Sequence, residues 1–270
     1  MPEALSGPRL GVLGWPVAHS RSPQMHNAAL AHLGLEHWRY QRLPVPPELF
    51  AETVRGLHGA GFRGANVTMP HKEAALAVAE TATDRARAIG AANTLTFNDD
   101  GTIHADNTDA PGFLAALPAA PAAGSSALIL GAGGSARAVV WALMTAGVEV
   151  AVWNRTHERA QQLAGELGAV AVRAAPPADL LVNCTSVGLA EEADSLKDLA
   201  LDAEYLSRYA TVADLVYRST PTPVLAAAAR AGCALVDGAE ILVRQGALSL
   251  EAWTGLPAPI EVMRDAVRST

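Results

Sequence analysis

The sequence predicts an α/β protein with two domains, and three features of the chain carry that prediction. From residue 127 onward, short apolar runs alternate with helical segments. These runs are continuously apolar rather than alternating, which is typical of a parallel sheet covered on both faces. A glycine-rich turn follows the first of them, at residues 131–136. Residues 117–124 (LPAAPAAG) have no periodicity and form the predicted linker between the domains.

The elements follow in order along the chain. In the N-terminal part we expect a strand at 10–13, a helix from Pro23 to Leu33 that Gly34 ends, a strand at 65–68, a helix from Pro70, and a hairpin of 93–97 with 102–104. After the linker, the strands are expected at 127–130, 148–153, 180–183, 212–216 and 234–236. From Ala239 the chain is expected to be helical, with a short further helix after Pro259. Residues 190–209 are acidic and show no clear period, so no element is predicted there.

Composition and charge exclude several classes of function. The chain has 270 residues, 50% hydrophobic and 17% charged, which is a normal soluble composition. Its net charge of −7 argues against nucleic acid or an anionic membrane as a partner. No apolar run is long enough to span a bilayer, and the first ten residues lack the pattern of a signal peptide. The two cysteines, Cys184 and Cys233, are unclustered and the eight histidines are scattered, so we expect a cytoplasmic protein without a metal.

The glycine-rich turn predicts a dinucleotide site. Its residues fit G-x-G-x-x-G/A: Gly131, Ala132, Gly133, Gly134, Ser135 and Ala136. Gly131 permits the tight turn, Gly133 lets the backbone approach a pyrophosphate, and Ala136 lets the helix pack on the strand. The pyrophosphate would lie at the positive end of that helix. A tight turn that binds nothing is the alternative, but the strand–turn–helix–strand context favours a Rossmann-type domain.

The end of the next strand predicts which dinucleotide binds. NAD-binding proteins carry an acidic residue there, whereas this chain has Asn154, Arg155 and Thr156, with Arg159 following. A guanidinium can hold a 2′-phosphate through two hydrogen bonds, so the predicted cofactor is NADP. The alternative is that both arginines are ordinary solvated surface charges.

Three polar segments outside the dinucleotide domain could carry chemistry. Ser22, directly before Pro23, is a good helix N-cap, but Ser20 is not needed for that cap, and two hydroxyls near a helix start suit a small carboxylate. Lys72 falls in a first helical turn, where the macrodipole disfavours a cation, unless it simply points away into solvent. Asp109 could cap the next helix, or it could meet Lys72 and form an acid/base pair.

Taken together, these segments resemble a known family. The matching motifs are HSRSP, NVTMPHK, GAANTL, DNTDAPGF, GAGGSARA, NRT, NCTSVGL and VRQGA. In this order and over nearly the whole chain, they resemble the shikimate dehydrogenase family. That resemblance implies NADPH-dependent, reversible reduction of 3-dehydroshikimate to shikimate in aromatic amino-acid biosynthesis.

The resemblance also implies roles for individual residues. Lys72 and Asp109 match the catalytic pair of the family, and Ser20 and Ser22 match the serines that bind the substrate carboxylate. The other positions that match substrate-binding residues are Thr68, Asn93, Tyr217 and Gln245. Gly238 is expected to join the cofactor-binding residues of the glycine turn and the NRT segment.

The implied domains are residues 1–116 plus 239–270 for the substrate and 117–238 for NADP. Here the C-terminal helix carrying Gln245 returns to the substrate domain. Three rivals remain: a quinate/shikimate dehydrogenase using NAD, a non-catalytic NADP sensor, and another two-domain dehydrogenase such as the methylenetetrahydrofolate type. Ser22 and Arg155 count against the first, the presence of both Lys72 and Asp109 against the second, and the HSRSP and DNTD segments against the third. The sequence leaves open whether the chain forms a homodimer.

Overall fold

The computed structural model describes residues 7–189 and 195–269. The backbone divides into two compact units, Met1–Thr108 with Val243–Thr270, and Asp109–Leu242. The boundary between Thr108 and Asp109 precedes the predicted linker at 117–124. The reason is that the helix before the linker packs into the second unit, where Phe113 is fully buried in the core. The backbone division therefore differs by a few residues from the predicted domain limits, which stay a prediction.

The elements alternate through most of the chain. The strands are β1 (Arg9–Gly14), β2 (Arg39–Pro44), β3 (Phe62–Val67), β4 (Thr81–Ala82), β5 (Thr94–Phe97), β6 (Ile103–Asp106), β7 (Ser126–Leu130), β8 (Glu149–Trp153), β9 (Val170–Ala171), β10 (Leu180–Asn183), β11 (Thr211–Asp214) and β12 (Ala234–Val236). The α-helices are α1 (Ser22–His32), α2 (Phe50–Leu57), α3 (Lys72–Val78), α4 (Asp84–Ile89), α5 (Asp109–Ala116), α6 (Gly134–Thr145), α7 (His157–Leu167), α8 (Ser195–Asp198), α9 (Pro223–Arg230), α10 (Gly238–Thr254) and α11 (Ile260–Arg268). No helix of the described residues is both long enough and apolar enough to cross a membrane.

The first unit contains a mixed sheet in the order β2-β1-β3-β5-β6-β4. Strand β1 pairs in parallel with β2 and β3, whereas β5 is antiparallel to both β3 and β6. The predicted hairpin is thereby confirmed, with Phe97 opposite Ile103. Helix α10 lies against this sheet through Trp253, which donates from Nε1 to the Leu95 carbonyl at 3.0 Å. Gly64 makes room for the indole, because a Cβ at that position would lie 2.1 Å from Nε1.

The second unit contains a parallel sheet in the order β12-β11-β10-β7-β8-β9. Alternate residues of β7 enter two different cores: Ala127 and Ile129 lie in one, Leu128 and Leu130 in the other. Both faces of the strand are therefore buried, which explains its uninterrupted apolar run. Chain order reverses between β7 and β10, and ligands of such sheets bind beyond the carboxyl ends of the strands at that switch point. The prediction of a Rossmann-type parallel sheet is confirmed.

Several element boundaries differ from the sequence prediction. Ser22 is the first residue of α1 rather than its N-cap, which is Arg21, and no side chain caps that helix. Helix α3 begins at Lys72 instead of Pro70, and its N-cap is His71. Within the uninterpreted stretch 190–209, the structure shows α8 and a 3₁₀ helix at Ala203–Arg208, while residues 190–194 lie outside the described residues.

Candidate functional site

The glycine turn between β7 and α6 has the geometry that a pyrophosphate requires. Gly131 has φ +110°, and its N–H donates to the Trp153 carbonyl at 2.8 Å. A Cβ there would lie 3.1 Å from Thr185 Cγ2, so the turn passes close to the loop after β10. A Cβ on Gly133, in contrast, would meet nothing within 4 Å, and no side chain caps α6. The turn thus presents open backbone at a helix start, which fits a dinucleotide phosphate.

The segment after β8 carries the predicted phosphate-binding side chains. Asn154 Nδ2 donates to the Thr156 carbonyl at 2.8 Å, which fixes the turn leading into α7. Arg155 and Arg159 are exposed, and neither forms an ion pair with another described residue. Two guanidinium groups beside the carboxyl end of β8 therefore fit the 2′-phosphate of NADP.

A buried carboxylate lies at the carboxyl end of β11. Asp214 is fully buried and accepts hydrogen bonds from Asn183 Nδ2 (2.9 Å), the Val216 N–H (3.0 Å) and the Thr222 hydroxyl (2.6 Å). Burial raises the pKa of Asp214 from 3.8 to about 6, although the three hydrogen bonds oppose this shift. Asp214 thereby ties the last residue of β10, Asn183, to the loop that carries Tyr217.

Gly238 begins α10 where two stretches of backbone come close together. A Cβ at this position would lie 2.6 Å from both the Leu215 and the Val216 carbonyl oxygens. Only glycine fits without moving backbone, so the residue keeps the start of α10 against the end of β11.

In the first unit, the two predicted serines lie at the start of α1: Ser20 precedes the helix and Ser22 is its first residue. Ser20 and Ser22 are each 5% exposed, and the Ser22 N–H donates to Ser20 Oγ at 3.3 Å. The Arg42 guanidinium donates to the Ser20 carbonyl from Nε at 3.0 Å and from Nη2 at 2.6 Å. This cation anchors the serine segment from the edge strand β2. Two hydroxyls next to a cation form a suitable place for a carboxylate.

Thr68 follows β3 and lies directly beside the end of β1. Its N–H donates to the Leu13 carbonyl at 2.8 Å, and a Cβ on Gly14 would lie 2.4 Å from Thr68 Cγ2. Gly14 is therefore the residue that lets Thr68 lie at this edge of the sheet.

Lys72 is the first residue of α3 and is 9% exposed. It is one of only two lysines in the chain, beside Lys197, among 20 basic residues. Its carbonyl accepts from the Ala92 N–H at 2.8 Å, which places the start of α3 next to the segment holding Asn93. A buried cation at a positive helix end is unfavourable for stability. The catalytic role expected for Lys72 stays a prediction.

His71, the residue before Lys72, was not singled out from the sequence. It is 2% exposed, stacks on Phe50 at 4.5 Å and donates from Nε2 to the Val45 carbonyl at 2.8 Å. Burial lowers the pKa of His71, against the effect of that hydrogen bond. A neutral imidazole thus holds the start of α3 in place.

Asn93 and Gln245 meet in the first unit. Asn93 Nδ2 donates to Gln245 Oε1 at 3.1 Å, and both side chains are buried. Asn66 lies in the same cluster and donates to the Asn93 carbonyl at 3.1 Å. Sequence reasoning assigned no role to Asn66, although it stands in the NVTMPHK motif. These amides supply donors and acceptors suited to the hydroxyl groups of a polyol.

The first aspartate of the DNTD segment has a structural role. Asp106 forms an ion pair with Arg85 and accepts from the Thr83 hydroxyl at 2.6 Å. Burial alone would raise the pKa of Asp106, but these hydrogen bonds outweigh it and hold the pKa below its usual range. The pair fixes the end of β6, from which the chain continues to Thr108 and Asp109.

Three family profiles match the chain, and together they cover most of it. They are the shikimate dehydrogenase substrate binding domain over residues 12–95, shikimate / quinate 5-dehydrogenase over 114–189, and the shikimate 5′-dehydrogenase C-terminal domain over 238–268. A protein of Methylobacterium radiotolerans described as shikimate dehydrogenase (NADP(+)) is 48% identical, with 95% of this chain and 94% of the relative covered.

The chain belongs to the shikimate dehydrogenase family. The resemblance that the motifs showed is therefore confirmed. The prediction that the chain is an oxidoreductase of this family is confirmed as well.

Solved structures share the fold over nearly the whole chain. Shikimate 5-dehydrogenase of Thermus thermophilus, in complex with NADP(H) and shikimate, has a TM-score of 0.86 and 44% identity, covering 97% of this chain and 99% of that one. A quinate dehydrogenase of Corynebacterium glutamicum in complex with NAD also has a TM-score of 0.86, at 29% identity, covering 98% of this chain and 99% of that one. The fold alone therefore does not distinguish shikimate from quinate, or NADP from NAD.

The predicted pairing of Lys72 with Asp109 stays a prediction. Lys72 belongs to the first compact unit, and Asp109 begins both α5 and the second unit. The expected approach of Tyr217 to the substrate also stays a prediction. Thr68, Lys72, Asn93 and Gln245 all lie in the first unit.

Proposed function

We propose that this chain catalyses the reversible reduction of 3-dehydroshikimate to shikimate with NADPH, in aromatic amino-acid biosynthesis. The observation that carries the proposal is Lys72, a buried lysine at the first residue of α3 in a chain that otherwise uses arginine almost throughout. Arginine cannot exchange a proton near neutral pH, whereas lysine can. A lysine at this position suits a proton-transfer step.

The substrate would be held by side chains of the first unit. Ser20 and Ser22 bind its carboxylate, with Arg42 behind them. The ring hydroxyls are bound by Thr68, Asn93 and Gln245, and Tyr217 contributes from the loop after β11. Most of these groups are already hydrogen-bonded or buried, so little conformational freedom is lost when substrate binds.

Lys72 and Asp109 act on the reacting hydroxyl. When bound, NADP supplies the redox chemistry, which is transfer of a hydride to or from the ring carbon that bears the oxygen. In the oxidation direction the Lys72 amine takes the proton of the hydroxyl, and in the reduction direction its ammonium returns that proton to the carbonyl oxygen. Asp109 orients both the ammonium and the hydroxyl.

The cofactor is proposed to be NADP, bound by the glycine turn and the arginines. Gly131, Gly133 and the start of α6 would hold the pyrophosphate, while Arg155 and Arg159 would hold the 2′-phosphate. Gly238 allows the start of α10 to lie beside the loop after β11. It is the last of the proposed cofactor-binding residues.

The cellular setting is part of the same proposal. The protein is proposed to act in the cytoplasm, with a small molecule rather than nucleic acid or a membrane as its partner, because its net charge of −7 repels polyanions. The local arginines and Lys72 offset that charge where anionic ligands bind. A homodimer is compatible with the proposal and is not required by it.

The test is oxidation of shikimate by the purified protein, followed by the absorbance of reduced cofactor, with quinate and NAD in parallel. Fast reduction of NADP with shikimate alone is the expected result. Equal rates with quinate and NAD would favour the broader quinate/shikimate activity. Binding of NADP without turnover of either substrate would favour a sensor and overturn the proposal.

A further inference from the structure

Three buried hydroxyls form a triad beneath the proposed substrate amides. Thr94, Thr108 and Ser249 are each at most 1% exposed. Thr94 Oγ1 and Ser249 Oγ are 2.8 Å apart, Thr108 Oγ1 and Ser249 Oγ are 3.1 Å apart, and the two threonine oxygens are 3.2 Å apart. Thr94 begins β5, Thr108 follows β6 and Ser249 comes from α10. The triad therefore joins the helix to the sheet through polar contacts.

Hydrogen-bond donation enters the triad from Asn66. The Tyr40 hydroxyl donates to Asn66 Oδ1 at 2.8 Å, which turns the Asn66 amide nitrogen toward the triad. That nitrogen donates to Ser249 Oγ at 2.9 Å. Because the Ser249 oxygen accepts this bond, its single hydrogen goes onward to a triad hydroxyl or to the Gln245 carbonyl at 3.2 Å.

Donation leaves the triad at Asn93. Asn93 Oδ1 accepts from the Thr94 hydroxyl at 3.1 Å, the Thr108 hydroxyl at 3.1 Å and the Thr108 N–H at 2.7 Å. Three donors meet this oxygen, and the amide nitrogen Asn93 Nδ2 donates to Gln245 Oε1 at 3.1 Å and to Thr108 Oγ1 at 3.0 Å. The two ends of an amide group have nearly the same size and shape, so hydrogen bonds decide which end faces which way.

We propose that Ser249 is a positioning residue for substrate binding, acting through Asn93 and Gln245. This inference rests on the proposed function. Ser249 is four residues after Gln245 on one face of α10, and it connects Asn66 to the threonines that orient Asn93. Its hydroxyl thus sets the direction in which the amides offer donors and acceptors to a substrate hydroxyl. The sequence motifs that identify the family do not include this position.

The first test is Ser249→Ala, which keeps a good helix former in α10. We expect the KM for shikimate to rise about fivefold, because the variant loses about one hydrogen bond that helps to orient the Asn93 and Gln245 side chains. The kcat and the KM for NADP should stay within about twofold, because the lost term affects ground-state and transition-state binding equally. An unchanged KM for shikimate in an otherwise active enzyme would overturn the inference.

Thr254→Val is the matched control on the same helix. The Thr254 hydroxyl donates to the Leu250 carbonyl at 2.8 Å, as Ser249 does to Gln245, but Thr254 has no bond to the triad. We expect this variant to change the thermal midpoint without changing the KM for shikimate. A KM change equal to that of Ser249→Ala would show a general effect of the helix and contradict a positioning role.

A double-mutant cycle tests the route of the effect. In an Asn93→Ala background, Ser249→Ala should cause no further rise in KM. The same fivefold effect in both backgrounds would show that Ser249 does not act through Asn93.

A further measurement is independent of activity. In the ligand-free protein, NMR hydrogen exchange of the Asn66 and Asn93 side-chain amides should accelerate at least about tenfold on Ser249→Ala. Unchanged exchange would overturn the positioning role. If the wild type instead fails to oxidise shikimate while these amides still respond, the proposed function fails and the positioning of the amides stands.

Discussion

Replacing Asp214 with asparagine should remove a pH-dependent loss of stability. Asp214 is fully buried, and its pKa is raised from 3.8 to about 6 chiefly by burial. A raised folded-state pKa means that the folded protein binds this proton more tightly than the unfolded chain. The contribution to stability is therefore fully present below about pH 3.8 and is lost as the pH rises through about 6.

The size of the effect follows from the shift of about two pH units. At 1.36 kcal/mol per unit, the full contribution is about 3 kcal/mol. About 1.4 kcal/mol of it is lost between about pH 5 and about pH 7.5, and the rest at lower pH. Asparagine keeps an oxygen for Asn183 and the Val216 N–H, and its amide nitrogen can donate to the Thr222 hydroxyl, so the variant should fold.

Urea denaturation at about pH 5 and about pH 7.5 measures this difference. His26 acts in the opposite direction, because burial lowers its pKa from 6.5 to about 3 and its contribution is lost as the pH falls. That term is common to both proteins and cancels when the variant is compared with wild type. For each protein, the change in unfolding free energy between the two pH values is measured. We expect this change to differ by about 1.4 kcal/mol between Asp214→Asn and wild type. Asp202→Asn, at an exposed carboxylate, controls for the loss of one negative charge. Identical pH dependence in Asp214→Asn and wild type would refute the reasoning.

Two further substitutions test the anion-binding side chains. Arg155→Ala should raise the KM for NADP about 10- to 100-fold while leaving the KM for NAD within about twofold, because charge-assisted hydrogen bonds to the 2′-phosphate are lost. Steady-state kinetics with both cofactors measure these two KM values. Equal effects on both would contradict the assignment of Arg155 to the 2′-phosphate. Arg42→Gln should raise the KM for shikimate about fivefold at low salt with little change in kcat, because the segment holding Ser20 loses its cation. The difference should shrink at high ionic strength, and an effect independent of salt would indicate loss of structure instead.

Much of the second unit could be predicted from sequence. Its central strands β7 and β10 are buried on both faces, so each appears as a continuous apolar run, and the turn at Gly131 fits a known motif. Strand β2 (RYQRLP) was missed because it lies at the edge of its sheet and most of its side chains are exposed. Its position depends on pairing with β1, which a local pattern does not report.

The proposed site was predictable where a residue stands in a motif. Lys72 and Asn93 were found in this way, and Lys72 also conflicts with the helix dipole. Ser249 and Asp214 were missed because their importance comes from partners far away in the chain, Asn66 in one case and Asn183 in the other. The N-cap assignment of Ser22 failed because α1 already begins at Ser22, and its N-cap is Arg21.

The most direct test of the account is the turnover of Lys72→Arg with shikimate and NADP. This variant keeps the positive charge but cannot exchange a proton near neutral pH. We predict that its kcat falls by about 10² to 10⁴, the usual contribution of a general acid–base group, while Lys197→Arg at the other lysine retains wild-type kcat. A Lys72→Arg enzyme with kcat near that of wild type would contradict the proton-transfer role on which the account depends.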